Sequence, residues 1–250
     1  MRNSELFRVA GVDGCKAGWV VALVRAAGAT GGRLQQPLAI ESIQVSPHFA
    51  DVLLRTSGCA LVCVDIPIGL SDGAGPRACD VAARRLLGVR ASSVFTPLAR
   101  PCLAAKSYEE ASRTNFKCAG KKLNKQSFFI MDKIRQVDDV VTPAMQKRVR
   151  EIHPEVTFYV LNGERPVQHN KKTLAGRSER VALLAGAFLN AAEVIERTRK
   201  AGAVERDDIL DALAAAWTAA KAVVGQAATL PEHPASDRKS FRMEILRPCL

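Results

Sequence analysis

Residues 60–67, Ala60-Leu61-Val62-Cys63-Val64-Asp65-Ile66-Pro67, form a near-continuous apolar run with one acid near its end. A strand that is apolar at both parities has no polar face to turn to water, so it belongs inside a sheet covered on both sides. Pro67 and Gly69 then break the run. Asp65 is thereby expected where a buried central strand comes to an end.

A pair of strands earlier in the chain supports the same architecture. Residues 9–12 read as a buried strand ending at Asp13-Gly14, and residues 18–24 as its hairpin partner. After the glycine-rich connection 26–37, residues 38–45 alternate as a half-exposed third strand would. Residues 49–54 suggest a short helix, and Pro76 opens another through Asp80, Arg84 and Leu87 that stops at Gly88. Residues 107–150 read as irregular helix, interrupted at Gly120 and Pro143. Residues 156–161 read as a strand, 178–200 as one long amphipathic helix, 207–224 as an alanine-rich helix, and 243–246 as a last strand. The expected fold is α/β, one domain over residues 1–250, with 81–150 as a helical insertion or cap.

Composition narrows the function. At 250 residues, 48% hydrophobic and 24% charged, the chain has the make-up of a soluble globular domain. No apolar run approaches the roughly 18 residues needed to span a bilayer, and the N-terminus has no signal-peptide core, so a cytoplasmic protein without membrane partners is expected. The 7 cysteines form no C-x-x-C pair, which gives no basis for structural zinc. The net charge of +11 is unevenly spread: residues 81–130 hold 10 basic and 2 acidic side chains, whereas residues 1–80 hold 7 of each. Arg113, Lys117, Lys121, Lys122 and Lys125 lie in a stretch without an acid. An anionic partner is implied, and nucleic acid is the obvious one, with a merely solvated lysine face as the alternative.

The acids carry the chemistry. Asp13 and Asp65 end strands, and Asp208 and Asp211 lie three apart near a helix start, hence on one face. Read singly, Asp13 has a structural explanation as a turn residue, Asp65 as a cap on a strand end before Pro67, and Asp207 or Asp208 as a helix N-terminal acid. Asp211 fits that explanation worst, because it lies a turn inside the helix among Leu210, Ala212, Leu213 and Ala214. If the elements converge, the four carboxylates form one cluster that needs a cation, and hard oxygen donors select Mg²⁺ or Mn²⁺. Asp13, Asp65, Asp208 and Asp211 are therefore the candidate catalytic and metal-binding residues. Glu155 is a candidate further ligand or acceptor, or a structural strand residue. His153 is a candidate proton donor, or a hydrogen-bonded core histidine. Asp80 and Arg84, four apart, suggest an ion pair, with a phosphate clamp by Arg77 and Arg84 as the sharper reading. Lys117, Lys121 and Lys125 are candidate phosphate contacts sharing a face of one helix.

The hairpin Gly11-Val12-Asp13-Gly14-Cys15-Lys16-Ala17-Gly18-Trp19, the strand Val62-Cys63-Val64-Asp65-Ile66-Pro67-Ile68-Gly69 and the helix Asp208-Ile209-Leu210-Asp211-Ala212-Leu213-Ala214 resemble, in this order, the metal-binding elements of RNase H-like nucleases. The helix is similar to that of RuvC-type resolvases, although Asp65 stands where resolvases usually carry Glu, one methylene longer. The whole chain resembles the predicted RNase H-fold nucleases grouped as domain of unknown function four-two-nine. Its further marks are Arg77-Ala78-Cys79-Asp80, Ala83-Arg84, Leu87-Gly88, Ser92-Ser93-Val94-Phe95, His153-Pro154-Glu155, Phe158 and Lys171-Lys172-Thr173.

That resemblance implies an RNase H-like mixed sheet flanked by helices and a metal-dependent nuclease acting on DNA or RNA. Two other readings stay open. An actin-like or sugar-kinase-type phosphotransferase also uses a D-G hairpin, but this chain has no second such hairpin. A non-catalytic nucleic-acid-binding module would keep the acids as remnants.

Overall fold

A computed structural model of the chain describes residues 5–29, 33–73, 75–202 and 204–250. Strands β1 (Glu5–Cys15) and β2 (Gly18–Ala29) form the expected hairpin, in register from Glu5↔Gly28 to Cys15↔Gly18. β3 (Arg33–Leu34) and β4 (Ala39–Ser46) both pair antiparallel to β2. On the other side of β1 the sheet turns parallel, first with β5 (Leu61–Asp65) and then with β6 (Val149–Glu151). The result is a mixed six-stranded sheet ordered β3-β2-β1-β5-β6, with β4 also on β2. A separate ribbon pairs β7 (Ala227–Leu230), which the sequence reading missed, with β8 (Ile245–Pro248).

Side-chain alternation along β1 and β5 feeds two cores. Val9, Leu61 and Cys63 pack on one face; Ala10, Val12, Val62 and Val64 pack on the other. Each fully buried aliphatic side chain contributes about 1.5–3 kcal/mol, which explains why these strands are apolar at both parities while β4 remains half-exposed. The first face is covered by α6 (Pro154–Leu161), α7 (Leu174–Ala185), α8 (Ala191–Lys200) and α9 (Arg206–Val223). The second is covered by α1 (Phe49–Arg55) and α5 (Met131–Val140). α2 (Ala78–Leu87) packs through Cys79, Ala83 and Leu87 against Val156 and Ile245. α3 (Tyr108–Ala119) and α4 (Lys125–Phe129), with short 3₁₀ turns at Gly88–Ser93, Arg100–Ala104 and Pro143–Lys147, complete the 81–150 region. That region is helical up to β6, and it supplies the second core with Leu98, Cys102, Leu123, Ile134 and Val137.

α9 is buried on all sides from Ile209 to Lys221, the mark of a central helix. Its alanines and one glycine explain how it gets there. A Cβ on Gly11 would lie 1.9 Å from the Ala212 carbonyl oxygen and 2.1 Å from the Ala216 nitrogen, so the helix backbone rests directly on β1.

Three expectations are corrected. Residues 156–161, expected as a strand, are the helix α6: Pro154 occupies its first turn and the His153 side chain caps it by accepting the Glu155 N–H. The strand there is β6, a few residues earlier. The single helix expected over 178–200 is two, α7 and α8. Between them the chain pairs with Leu38, whose N–H donates to the Ala187 carbonyl and whose carbonyl accepts from the Leu189 N–H. Lys117, Lys121 and Lys125 do not share one helix face. Gly120, at φ 67°, ends α3 in the left-handed conformation, Lys121 lies in the following turn, and Lys125 opens α4.

Candidate active site

The parallel β1–β5 register places Asp13 directly beside Asp65. Counting in twos from Val9 and from Leu61, both carboxylates point to the face that carries α9. α9 contributes Asp211, itself buried, and half-buried Asp208 one turn earlier. Four acids from three distant segments thus meet at the ends of two adjacent parallel strands, under the start of a helix that Gly11 admits.

The four acids repel one another, and the pKa values of Asp13, Asp65 and Asp208 show it. Burial, followed by the charges of Asp65, Asp211 and Asp208, raises the Asp13 pKa well above the usual carboxylate range. Burial and then Asp211 push Asp65 up to about 8. Burial and Asp211 likewise push Asp208 to about 6. Lys171, in the loop before α7, opposes all three shifts. Its Nζ donates to Asp211 Oδ2 at 2.8 Å, and Asp211 is the largest cause of its raised pKa. Asp13 Oδ1 also accepts the Gly14 N–H at 2.8 Å.

As the side chains stand, no group of three or more His, Cys, Asp and Glu among the described residues is arranged to hold a metal ion. The donor chemistry nonetheless fits a hard divalent cation. Asp13, Asp65, Asp208 and Asp211 offer only carboxylate oxygens, and their mutual repulsion is the kind that a divalent charge offsets.

The family model described as Protein of unknown function (DUF429) matches residues 11–236. The chain belongs to the DUF429 family. No curated protein and no solved structure matches it. The DUF429 match takes in all four acids and Lys171, and begins at the glycine on which α9 rests.

Within the DUF429 region, the other candidate residues fall in different places. Arg77 is 3% exposed and is a core residue, which corrects its reading as a phosphate clamp. Its Nη2 donates to Asp80 and to Glu151, each at 2.7 Å, and its Nη1 donates to Glu151 at 2.8 Å and to the Gly69 carbonyl at 3.1 Å. Asp80 therefore pairs with Arg77, not with Arg84 as its spacing suggested. Arg84 Nε instead donates to the Val94 carbonyl at 2.8 Å and its Nη2 to Thr96 Oγ1 at 3.0 Å, tying α2 to the next segment. Lys117, Lys121 and Lys125 are exposed. Burial lowers the His153 pKa, so its imidazole is neutral at neutral pH, with Nδ1 already used as the cap acceptor. Glu155 sits in the first turn of α6, paired with buried Arg180.

Sequence reasoning missed Lys171 and Glu151. Lys171 was visible only as part of Lys171-Lys172-Thr173, and nothing in its spacing links it to Asp211. Glu151 lies 74 residues from Arg77 and shows its role only through the parallel β5–β6 pairing.

Proposed function

We propose that this chain is a nuclease that hydrolyses phosphodiester bonds of DNA or RNA with Mg²⁺ or Mn²⁺ held by Asp13, Asp65, Asp208 and Asp211. The observation that carries the reading is the convergence of these four acids from β1, β5 and α9 on one face of the sheet. The strand order, an antiparallel hairpin flanked by a third antiparallel strand and then by two parallel ones, agrees with an RNase H-like fold. The metal would supply the charge that polarises a phosphoryl oxygen and acidifies an attacking water.

This chain's own groups do the rest. Asp13 and Asp65, fixed by strand register, set the spacing of the oxygen donors. Asp211, held a turn inside a buried helix, keeps its carboxylate on that face, while Asp208 at the more open edge is the acid best placed to orient a water. Lys171 offsets part of the cluster's charge. Exposed Lys117, Lys121 and Lys125 draw the phosphate backbone toward the protein without reading its sequence.

The test is cleavage of labelled single-stranded, duplex, hybrid and branched oligonucleotides in Mg²⁺ or Mn²⁺. The wild type is expected to cleave at least one of them, and Asp65→Asn to abolish cleavage while binding persists. A metal-loaded wild type that cleaves none would overturn the proposal; ATP hydrolysis in that case would favour the phosphotransferase reading.

A further inference from the structure

Beside Asp65 opens a cleft of about 450 Å³, a volume that suits a small-molecule-sized group. Its walls bring together three kinds of side chain. Arg90, Lys171 and Lys172 supply positive charge, Phe95 supplies a half-buried aromatic ring, and Glu155 supplies a carboxylate.

The Glu155 carboxylate is incompletely used. Oε1 accepts from Arg180, but Oε2 is buried without a hydrogen-bond partner. Arg90 comes closest through its Nε, which at 3.9 Å is beyond hydrogen-bond reach. Glu155 is 7% exposed, and an acceptor left without a donor in such a place is destabilising. A donor entering the cleft would remove that cost.

Cations, an aromatic face and a buried acceptor waiting for a donor match the phosphate, base and hydroxyl or amino groups of one nucleotide. We infer that the cleft holds a single nucleotide of the substrate, its phosphate toward Arg90 and Lys172 and its base against Phe95. This rests on the nuclease reading and narrows it. A base seated in such a cleft has left the duplex stack, so the substrate class is single-stranded nucleic acid or a frayed or flipped-out end.

Nucleoside 5′-monophosphates have no diester to cleave, so their binding to the full chain is measurable by calorimetry in Mg²⁺ buffer, against ribose 5-phosphate and inorganic phosphate. Nucleotides are expected to bind at least tenfold more tightly than either control. Phe95→Ala should weaken nucleotide binding about tenfold, as loss of one base stack does, and leave phosphate binding unchanged. Lys172→Gln, at an exposed position that the fold does not need, should weaken every phosphate-bearing probe. Nucleotides that bind no better than phosphate, or a folded Phe95→Ala protein with wild-type nucleotide affinity, would overturn the inference. Cleavage separates the two proposals. Duplex cut as fast as its single strand, with no nucleotide binding, removes the cleft and keeps the nuclease; tight nucleotide binding without cleavage of any polymer removes the nuclease and keeps the cleft.

Discussion

Lys171 Nζ stands 2.8 Å from Asp211 Oδ2, which places an ammonium charge inside a group of four carboxylates. In the absence of a divalent ion, that ammonium is a counter-charge that partly relieves their repulsion. Replacing it should therefore cost stability without metal and increase the attraction for metal. Lys171→Met is expected to lower stability in EDTA by about 1 kcal/mol, a modest figure because the lysine side chain is 42% exposed. Mg²⁺ should then raise the variant's melting temperature more than the wild type's. Equal metal responses would show that Lys171 and the cation do not share a site.

Arg77 and Glu151 form a buried ion pair that also collects Asp80, the Gly69 carbonyl and the Ile68 N–H. It ties the segment after β5 to β6 and α2. Removing one partner leaves a buried charge uncompensated, which costs about 3–5 kcal/mol. Arg77→Met should show that loss in urea denaturation. Its nucleic-acid affinity, compared under conditions where the variant is folded, should keep the wild-type salt dependence. A flattened salt dependence would return Arg77 to the phosphate-binding surface.

The raised carboxyl pKa values give the metal-free protein a pH profile with a definite sign. Asp65 reaches about 8 in the folded state, against about 3.9 unfolded. Between those values the folded state binds more protons, so stability is fully present at the acid end and is lost as pH rises through about 8. Asp208 at about 6 and Glu151 at about 7 act in the same direction over narrower windows. The melting temperature in EDTA should fall from about pH 5 to about pH 8, and Asp65→Asn should flatten the fall. A profile that rises over this range would contradict the clustered, buried acids.

On the proposed nuclease reading, the basic segment 81–130 would contribute through charge alone. Lys117, Lys121 and Lys125 are exposed but sit on different elements, so a shared helix face is not needed for them to meet a phosphate backbone. Each phosphate contact adds roughly 0.9 to the slope of log affinity against log salt. Changing all three to Gln should therefore flatten the slope by roughly 2–3 on duplex DNA. Exposed Lys200, at the end of α8, is the control and should change it little. An unaltered slope in the triple variant would make the cluster a solvated surface.

The parts of this molecule that could be read from the chain are those that local pattern determines. β5 was legible because Leu61 to Val64 are apolar at both parities, and the hairpin because Asp13-Gly14 and Gly18 bracket its turn. α9 was legible because an alanine-rich helix carrying Asp208 and Asp211 has few other uses for Asp211. α6 was misread because Val156, Thr157, Phe158, Tyr159 and Val160 favour strands by type; the Pro154 turn and the His153 cap outweighed that preference. The break between α7 and α8 was hidden because it is set by pairing with Leu38, far away in the chain. Lys171 and Glu151 escaped for the same reason, since each owes its position to a partner that only the folded sheet and helices bring near.

If Asp13, Asp65, Asp208 and Asp211 form one cation site, equilibrium Mn²⁺ binding followed by electron paramagnetic resonance will detect it. For a site of millimolar affinity, about 10 mM metal stabilises the fold by on the order of 1.4 kcal/mol, so the same samples should also melt later. The wild type is predicted to take up Mn²⁺ in competition with Mg²⁺, and folded Asp13→Asn and Asp211→Asn proteins to lose that uptake. A wild type that binds no Mn²⁺, or variants that bind it as the wild type does, would show that these four acids are not a cation site.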